Sequence, residues 1–508
     1  MKSPVQIKPL DRYNETLVVN VSPADWQNPE PAPRYNLVVI GGGTAGLVAA
    51  AGAAGLGAKV ALVERHLLGG DCLNYGCVPS KAVIRSSRVW AEVNNAQQFG
   101  VQVPAGTEVD FPGVMERMRR LRARISLHDA AARFRDLGVD VFLGAARFTG
   151  PKTVEVAGKT LHFRRAVIAT GGRPVRPPIP GLAEAGFLTN ETVFSLTNRP
   201  ARLLIMGGGP IGCELAQAFQ RLGCRVTLLH KYGRIMNRED PEAASLLQQV
   251  FLREGIQLLL QAQPTQVSRA PGGKVVHYDQ EGQAGEIEVD EILVGAGRAP
   301  NVENLGLEAA QVKYEGGKGR GVLVNDFLQT TNRRIYAAGD ICLPYQFTHL
   351  ADAAARIVIQ NALFCGRKRL SALTIPWCTY TDPEVARVGL SEADAAKSGM
   401  AVQAFVKPLG EVDRAVIDGE EEGFVKVLVK AGSDRILGAT IVARHAGEMI
   451  SEVTLAMVAK IGLGTLAGVI HPYPTQAEAI RQTGDLYNRT RLTPFLKRLF
   501  TSYLSWRR

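Results

Sequence analysis

The sequence predicts an α/β fold, because a strand, a glycine-rich turn and a helix follow one another twice along the chain. The apolar strand 36–40 leads into the run GGGTAG at 41–46 and then into an alanine-rich helix. The strand 202–206 leads in the same way into GGGPIG at 207–212. Glycines let such a turn approach a pyrophosphate closely, and the N-terminus of the following helix stabilises its negative charge. Two Rossmann-like dinucleotide-binding domains are therefore expected, with pyrophosphate contacts at Gly41, Gly43, Gly46, Gly207, Gly209 and Gly212.

The residue that follows the second strand of each unit predicts which nucleotide is bound. Glu64 lies 23 residues after Gly41, near the spacing expected for an acid that binds a ribose diol. The same count from Gly207 reaches His230, which is followed by Lys231. An acid here would repel a 2′-phosphate, whereas Lys231 can neutralise one. We therefore predict a flavin dinucleotide in the first unit and NADPH in the second. If His230 and Lys231 were only solvated, the nucleotide preference would stay open.

Two cysteines, Cys72 and Cys77, lie just after the first unit in the run GDCLNYGCVPSK at 70–81. Four residues separate them, so a disulfide can close only if the helix begins with an irregular turn. A helix N-terminus at this point would favour the thiolate, the reactive form of cysteine. A reducible disulfide beside a nucleotide cofactor would imply electron transfer. Taken alone, a pair with this spacing favours two buried structural cysteines, and the motifs that follow along the chain reverse that preference.

Composition excludes several other classes of protein. A chain of 508 residues with 46% apolar content predicts about three globular domains. The net charge of +11 comes from dispersed basic residues without interleaved aromatics, which argues for anionic nucleotide ligands and against nucleic acid. The seven cysteines form no metal-ligand cluster, and their odd number argues against a secreted disulfide framework. With no segment typical of a signal peptide or a membrane span, a cytoplasmic location is expected.

Together with ATGGRP at 169–174 and IYAAGD at 335–340, these motifs resemble the flavin-dependent pyridine nucleotide–disulfide oxidoreductases. That family includes dihydrolipoamide dehydrogenase, glutathione reductase and mercuric reductase. The resemblance covers roughly residues 35 to 485, and it implies an α+β dimerisation domain after the two Rossmann-like domains. It also implies a homodimer whose active sites are shared across the interface. The implied segments are an N-terminal arm (1–33), an FAD domain (34–182 and 297–368), an NADPH domain (183–296), an interface domain (369–487) and a basic tail (488–508).

The resemblance also implies a role for each site residue. NADPH would reduce the flavin, and the reduced flavin would open the cysteine pair. Cys77 would lie near the flavin as a thiolate, and Cys72 would meet the substrate. Lys81 would lie near flavin N5 and pair with Glu214, while Asp340 would hold the ribitol chain of FAD. The remaining expected contacts are Gly70, Asp71, Thr170 and Gly171 with FAD, and Gly297 with NADPH.

The C-terminal motif departs from the disulfide reductases of this family, which carry His-Pro-Thr-x-x-Glu. Here the chain reads HPYPTQAE at 471–478. Aligning Pro474, Thr475 and Glu478 with that motif puts Tyr473 where the histidine belongs, and Glu478 is retained. A phenol with a pKa near 10 is a poor proton shuttle. His471 lies two residues away, where it would act as a base or ligand or simply as a surface or interface histidine.

Mercuric reductases also place a tyrosine in a similar context, and a metal ion needs ligands rather than a leaving-group proton. The chain nevertheless has no cysteine after Cys378, where well-known mercuric reductases carry a cysteine pair, and none in the arm. We therefore expect an FAD-dependent NADPH oxidoreductase that reduces a metal ion or another small oxidant. The alternatives are a reductase of a low-molecular-weight disulfide that uses His471, and a flavin-bound redox sensor without turnover.

The tail 488–508 has apolar residues at helical spacing opposite basic ones. The apolar positions are Leu492, Phe495, Leu496, Leu499, Phe500, Tyr503 and Leu504, and the basic ones are Arg491, Lys497, Arg498 and Arg507. Such a helix either lies on an anionic membrane surface or packs at the dimer interface. The periodicity alone favours packing.

Overall fold

The first glycine-rich unit predicted from the sequence is present in a computed structural model, which describes residues 5–317 and 319–508. The elements up to the second glycine-rich turn are α1 (Arg12–Val21), β1 (Tyr35–Ile40), α2 (Thr44–Gly55), β2 (Val60–Glu64), α3 (Gly70–Asn74), α4 (Cys77–Asn94), α5 (Phe111–Ile125), α6 (Ala131–Asp136), β3 (Val139–Leu143), β4 (Ala146–Gly150), β5 (Thr153–Val156), β6 (Lys159–Ile168), β7 (Gly172–Pro174), α7 (Leu182–Ala185) and β8 (Arg202–Met206).

The second half of the chain contributes the remaining elements. They are α8 (Pro210–Arg221), β9 (Arg225–His230), α9 (Pro241–Arg253), β10 (Gln257–Leu260), β11 (Ala262–Ala270), β12 (Gly273–Gln280), β13 (Gln283–Val289), β14 (Glu291–Val294), β15 (Arg298–Pro300), β16 (Tyr314–Glu315), β17 (Gly321–Val322), β18 (Ile335–Ala337), α10 (Thr348–Leu363), β19 (Pro376–Thr379), β20 (Glu384–Gly389), α11 (Glu392–Lys397), β21 (Val402–Pro408), α12 (Asp413–Asp418), β22 (Phe424–Lys430), β23 (Ile436–Ala443), α13 (Ala446–Val458), α14 (Leu463–Leu466), α15 (Glu478–Arg491) and α16 (Pro494–Trp506).

The chain divides into two compact units. The first comprises the chain up to Gly207 together with Ala218–Leu229 and Ala262–Leu373. The second comprises Gly208–Gln217, His230–Gln261 and Thr374–Arg508.

A parallel sheet forms the centre of the first unit. Strand β1 pairs with β2 on one side and with β6 on the other, β2 continues to β3, and β18 pairs with β6. Because parallel strands are covered on both faces, they need continuous apolar runs, and five of the six residues of β1 are buried. The strand ends of this sheet bring together the first glycine turn and the loop after β18.

The second glycine-rich turn follows a smaller parallel sheet in the same unit. Strand β8 pairs with β9 on one side and with β14 on the other. Strands β11, β12 and β13, which precede β14 along the chain, form a separate antiparallel sheet. This part of the fold repeats the strand–turn–helix order that the sequence predicted.

An antiparallel sheet in the order β19–β20–β23–β22–β21 organises the C-terminal part of the second unit. Its core includes residues of β22, β23 and α13, among them Val427, Ile441 and Val453, together with Ile480 from α15. Among the described helices, none is long and apolar enough to cross a membrane.

Candidate active site

The first glycine turn is built so that side chains are excluded from it. A Cβ atom on Gly46 would lie 1.8 Å from the carbonyl oxygen of Gly41, which itself has a φ of +108°. Gly70 has a φ of +57°, and a Cβ there would lie 2.6 Å from the Cα of Gly43. Two glycine backbones therefore face each other at the N-terminus of α2. This arrangement suits a pyrophosphate, which needs close approach to backbone N–H groups.

Glu64 ends β2 and is buried against the glycine turn. Its Oε2 accepts the backbone N–H of Gly42 at 2.7 Å, and its Oε1 accepts that of His66 at 2.7 Å. These bonds fix the carboxylate at the carboxyl edge of the sheet, the position that the sequence predicted for a ribose contact. The role itself stays a prediction.

The predicted ribitol ligand, Asp340, shares a cluster of charges with Asp71. The guanidinium of Arg298 lies between them, with Nη1 3.3 Å from Asp71 Oδ2 and Nε 3.7 Å from Asp340 Oδ2. Burial raises the pKa of Asp340, and Arg298 opposes that rise. A further bond joins Asn190 Nδ2 to Asp71 Oδ1 at 2.9 Å. Arg298 was missed by the sequence interpretation, although it directly follows Gly297, a predicted nucleotide contact with a φ of +103°.

Thr170 and Gly171 connect this cluster to the loop after β15. The hydroxyl of Thr170 donates to the carbonyl of Asn301 at 2.9 Å, and the Asn301 amide donates back to the Thr170 carbonyl at 2.9 Å. Gly171 has a φ of +66°, and no heavy atom lies within 4 Å of the position of an added Cβ. The backbone at Gly171 is therefore open on the side where a ligand would lie.

The two cysteines are joined by the irregular turn that the sequence required. Cys72 lies in α3 and Cys77 is the first residue of α4, while Tyr75 and Gly76 between them have non-helical backbone angles. Across this turn the Cys72 thiol has a hydrogen bond with Cys77, and this bond is the largest cause of a raised pKa at Cys72, followed by burial. Cys77 Sγ also lies 3.4 Å from Thr348 Oγ1.

The environment of the pair is unequal. Cys72 is half-buried, and the bond with Cys77 together with burial raises its pKa, which favours the protonated thiol. Cys77 is exposed at the N-terminus of an 18-residue helix, a position that stabilises a thiolate. Lys81 is half-buried one turn further along the same helix. These positions agree with the predicted division of roles, which stays a prediction.

The second glycine turn repeats the first, except that a histidine, His230, takes the place of Glu64. A Cβ on Gly207 would lie 2.5 Å from the Gly295 carbonyl oxygen, and Gly209 has no heavy atom within 4 Å. Gly212 lies in the first turn of α8. His230 is buried, and its Nδ1 accepts the N–H of Gly208 at 3.0 Å, as Glu64 does for Gly42. Burial lowers the pKa of His230, which favours the neutral ring.

Lys231 remains at the surface beside this histidine, with its Nζ 4.8 Å from the centre of the Tyr232 ring. Glu214 on α8 is buried and accepts the backbone N–H of Tyr380 at 2.8 Å. Glu214 lies in the second unit and Lys81 in the first, so their pairing stays a prediction.

The C-terminal motif places its three candidate residues in different surroundings. The ring of His471 has Nε2 3.0 Å from Glu452 Oε1 and Nδ1 3.1 Å from the carbonyl of Val469. Tyr473 is 70% exposed, and its hydroxyl donates to Asp413 Oδ2 at 2.8 Å, a bond that raises the pKa of the phenol. Glu478 begins α15 and accepts Arg481 at 2.7 Å. His471 thus has a carboxylate partner that the sequence interpretation did not find.

The chain matches the family described as pyridine nucleotide-disulphide oxidoreductase over residues 35–357, and the dimerisation domain of that family over 375–483. The chain belongs to this family. A mercuric reductase from Staphylococcus aureus is 36% identical over 447 residues, which cover 88% of this chain and 81% of the relative. A dihydrolipoyl dehydrogenase from Bacillus subtilis is 33% identical over 466 residues, covering 88% and 97%.

Solved structures give the same family. The Cu(II) complex of the HOCl-induced flavoprotein disulfide reductase RclA from Escherichia coli has a TM-score of 0.79 at 27% identity, covering 90% of this chain and 100% of that chain. LpdA from Mycobacterium tuberculosis has a TM-score of 0.81 at 27% identity with the same coverage. These comparisons confirm the predicted family and fold class.

Members of the pyridine nucleotide–disulfide oxidoreductase family use FAD and NAD(P)H, and the predicted cofactors are thereby confirmed at this level. The residues present fit FAD, because the contact between Gly43 and Gly70 excludes side chains and the half-buried carboxylate of Asp340 is linked through Arg298 to Asp71, the residue after Gly70. The family's dimerisation domain is also present.

Proposed function

We propose that this flavoprotein takes electrons from NADPH and passes them through the Cys72–Cys77 pair to a soft metal ion or another small oxidant. FAD, when bound, supplies the two-electron chemistry that links a nicotinamide to a disulfide. Opening the disulfide takes two electrons and one proton, and it yields a thiol at Cys72 and a thiolate at Cys77. The cysteine pair at the start of α4 is the observation that carries the proposal, since the two thiols are in hydrogen-bond contact and Cys77 lies exposed as the first residue of an 18-residue helix.

The surroundings of Tyr473 support a metal ion as the oxidant. Reduction of a disulfide substrate releases a thiolate that must be protonated, and imidazole is the usual acid near neutral pH. A hydrogen bond with Asp413 raises the pKa of Tyr473 further from that range. Relatives named mercuric reductase support a metal ion as the oxidant, and a structural neighbour of the same family was solved as a Cu(II) complex. Thiolates are ligands that soft metal ions prefer.

A low-molecular-weight disulfide is the second candidate, and the contact between His471 and Glu452 favours it. An imidazole 3.0 Å from a carboxylate has the geometry of an acid–base pair. In this alternative His471 would protonate the leaving thiol, and Glu452 would orient the ring. The two candidates make opposite predictions for a His471→Gln variant, because only the disulfide reaction depends on an acid there.

An anaerobic NADPH titration tests the proposal. We expect a long-wavelength band from a thiolate near the flavin, which disappears in Cys77→Ser and persists in Cys72→Ser. Steady turnover should then be measured with Hg(II), Cu(II), glutathione disulfide and a quinone. Metal-dependent turnover that survives His471→Gln supports the metal reductase, whereas disulfide turnover lost in that variant supports the alternative. Without the band in the parent protein, the proposal is wrong; one stoichiometric reduction without turnover indicates a sensor.

We further propose that the protein works as a homodimer that shares its active sites across the interface, in the cytoplasm. The dimerisation domain supports the first point, and the odd number of cysteines supports a reducing compartment. Sedimentation of the holoprotein, together with recovery of activity on mixing Cys72→Ser and Glu478→Ala subunits, tests the shared site.

The tail 488–508 supports a peripheral contact with an anionic membrane surface. Helix α16 buries no residue against its own chain, and Phe495, Leu499 and Trp506 are each at least half exposed. Residues 486–508 include six basic residues and no acidic one, so their charge complements anionic lipid rather than a neutral surface. In a flotation assay with phosphatidylglycerol vesicles, the parent protein should float with the vesicles and Phe500→Glu should not. The control is Leu252→Glu, which changes a similarly exposed apolar residue outside the tail and should float as the parent does. Flotation that both variants share equally contradicts the membrane contact.

A further inference from the structure

The N-terminal arm packs against the rest of the first unit, although it lies outside the family match that begins at residue 35. Helix α1 buries Leu17 and Val21 completely. Asp11 caps the helix, since its Oδ1 accepts the N–H of Asn14 at 2.8 Å, and its Oδ2 accepts Arg119 Nε at 2.5 Å. The arm is therefore held both by apolar burial and by an ion pair to α5.

Arg122 on α5 connects the arm to the redox pair. This side chain is 1% exposed, and burial lowers the pKa of its guanidinium to about 10. Its Nη2 donates to Asn14 Oδ1 at 2.7 Å, and its Nη1 donates to the carbonyl of Asn74 at 2.7 Å. A buried guanidinium is costly unless its donors find acceptors, so losing either acceptor destabilises this arrangement. Asn14 is thus half of the support that keeps Arg122 in place.

Asn74, whose carbonyl accepts this bond from Arg122, lies between the two cysteines in sequence. It ends α3, the helix that carries Cys72, and it precedes the turn that leads to Cys77. Its own side chain is fully buried and donates to the carbonyls of Leu68 and Gly70 at 3.1 and 2.8 Å. The backbone that sets the distance between the two thiols is therefore fixed from both sides.

We propose that the N-terminal arm is a positioning element of the redox pair: Asn14, acting through Arg122, holds the turn at 74–76 so that Cys72 and Cys77 stay at disulfide-forming distance. The inference rests on the proposed function of this pair. Two thiols held together have a higher effective concentration than two that move apart, so the arm stabilises the disulfide relative to the dithiol. Asn14 and Arg122 touch neither substrate nor cofactor in this assignment, and they act only through the turn.

The exchange with glutathione measures this effect without any substrate. The protein disulfide and two glutathione thiols give two cysteine thiols and one glutathione disulfide, so electrons and atoms balance. Holoprotein is equilibrated anaerobically in glutathione buffers, the thiols are trapped by alkylation, and the peptide bearing Cys72 and Cys77 is quantified by mass spectrometry. We expect Asn14→Ala to lower the equilibrium constant for disulfide formation about tenfold, which corresponds to a potential ~30 mV more positive.

The matched control is Asn20→Ala on the same helix. Asn20 also makes a side-chain bond from the arm to the rest of the first unit, donating its Nδ2 to Ser126 Oγ at 2.8 Å, but Ser126 does not contact the turn at 74–76. We expect Asn20→Ala to match the parent. Asn14→Asp keeps the acceptor for Arg122 but loses the amide that donates to the Pro9 carbonyl at 2.7 Å, so we expect a value between those of Asn14→Ala and the parent. Arg122→Lys should shift the equilibrium in the same direction as Asn14→Ala, and it provides the measurement if Asn14→Ala fails to fold.

Equal equilibrium constants for Asn14→Ala, Arg122→Lys and Asn20→Ala would overturn the positioning role. A parent protein whose cysteine pair forms no disulfide in any glutathione buffer would instead overturn the proposed function. The two failures are therefore distinguishable in one experiment.

Discussion

Replacing Lys426 by methionine should strongly destabilise the second unit. Lys426 lies in β22 with its side chain only 3% exposed, and its Nζ is 3.0 Å from Asp240 Oδ2 and 2.8 Å from Glu242 Oε2. Burial by itself lowers the pKa of this lysine, but the bonds with Glu242 and Asp240 outweigh it and raise the pKa. The lysine is therefore charged in the folded protein and compensates a carboxylate that is equally buried.

The expected loss in the free energy of unfolding follows from the charge that Lys426→Met leaves buried. Methionine fills much of the same volume, so the loss comes mainly from Asp240, which is 3% exposed and would keep a charge without its cation. Removing one partner of a buried ion pair costs about 3–5 kcal/mol. Asp240 also caps α9 by accepting the N–H of Glu242 at 2.9 Å, so the disturbance should reach that helix.

Urea unfolding, combined with hydrogen exchange of the α9 amides, measures the loss and its location. Lys407→Met on the neighbouring strand β21 is the control, because its partner Glu411 is 65% exposed and a surface pair contributes less than about 1 kcal/mol. The double variant Lys426→Met with Asp240→Asn should recover part of the stability, since asparagine is neutral and still caps a helix. A loss in Lys426→Met no larger than in Lys407→Met, or no recovery in the double variant, would refute this account.

Three further outcomes are expected. Gly46→Ala should purify without FAD, because its Cβ would lie 1.8 Å from a carbonyl oxygen, whereas Gly55→Ala on the same helix should keep a normal flavin-to-protein absorbance ratio. Burial raises the pKa of Asp129 to about 6 from 3.8, so the folded state binds this proton more tightly than the unfolded chain does. The stability gained from this proton is fully present below pH 3.8, the pKa in the unfolded chain, and is lost as the pH rises through about 6. Asp129→Asn should therefore remove the fall in Tm over this pH range. Lys231→Ala should weaken NADPH binding about tenfold in fluorescence titrations while leaving NADH unchanged.

The sequence predicted those parts of the site that depend on neighbouring residues. The glycine turns, the position of Glu64 at a strand end and the irregular turn between the cysteines are set by local conformation, which a motif records directly. Arg298, Glu452 and Arg122 were missed because each acts on a residue far away in sequence, such as Asp71, His471 and Asn74. A single sequence carries no signal for such pairings, since they depend on how the sheets and helices pack.

His230 shows how a local exchange can change a ligand without changing a turn. Glu64 and His230 are the last residues of β2 and β9, the second strand of each glycine-rich motif. Each accepts the N–H of the middle glycine of its motif, at 2.7 and 3.0 Å. The backbone therefore needs an acceptor at this position, and an acid or a neutral imidazole provides one equally well. Only the acid adds a negative charge, which would repel a 2′-phosphate. Because burial lowers the pKa of His230, the neutral imidazole keeps the acceptor without a charge, and the exposed Lys231 beside it would attract a 2′-phosphate. The exchange of Glu64 for His230 between the two glycine-rich motifs thus supports NADPH as the electron donor, on structural grounds that are independent of the cysteine chemistry.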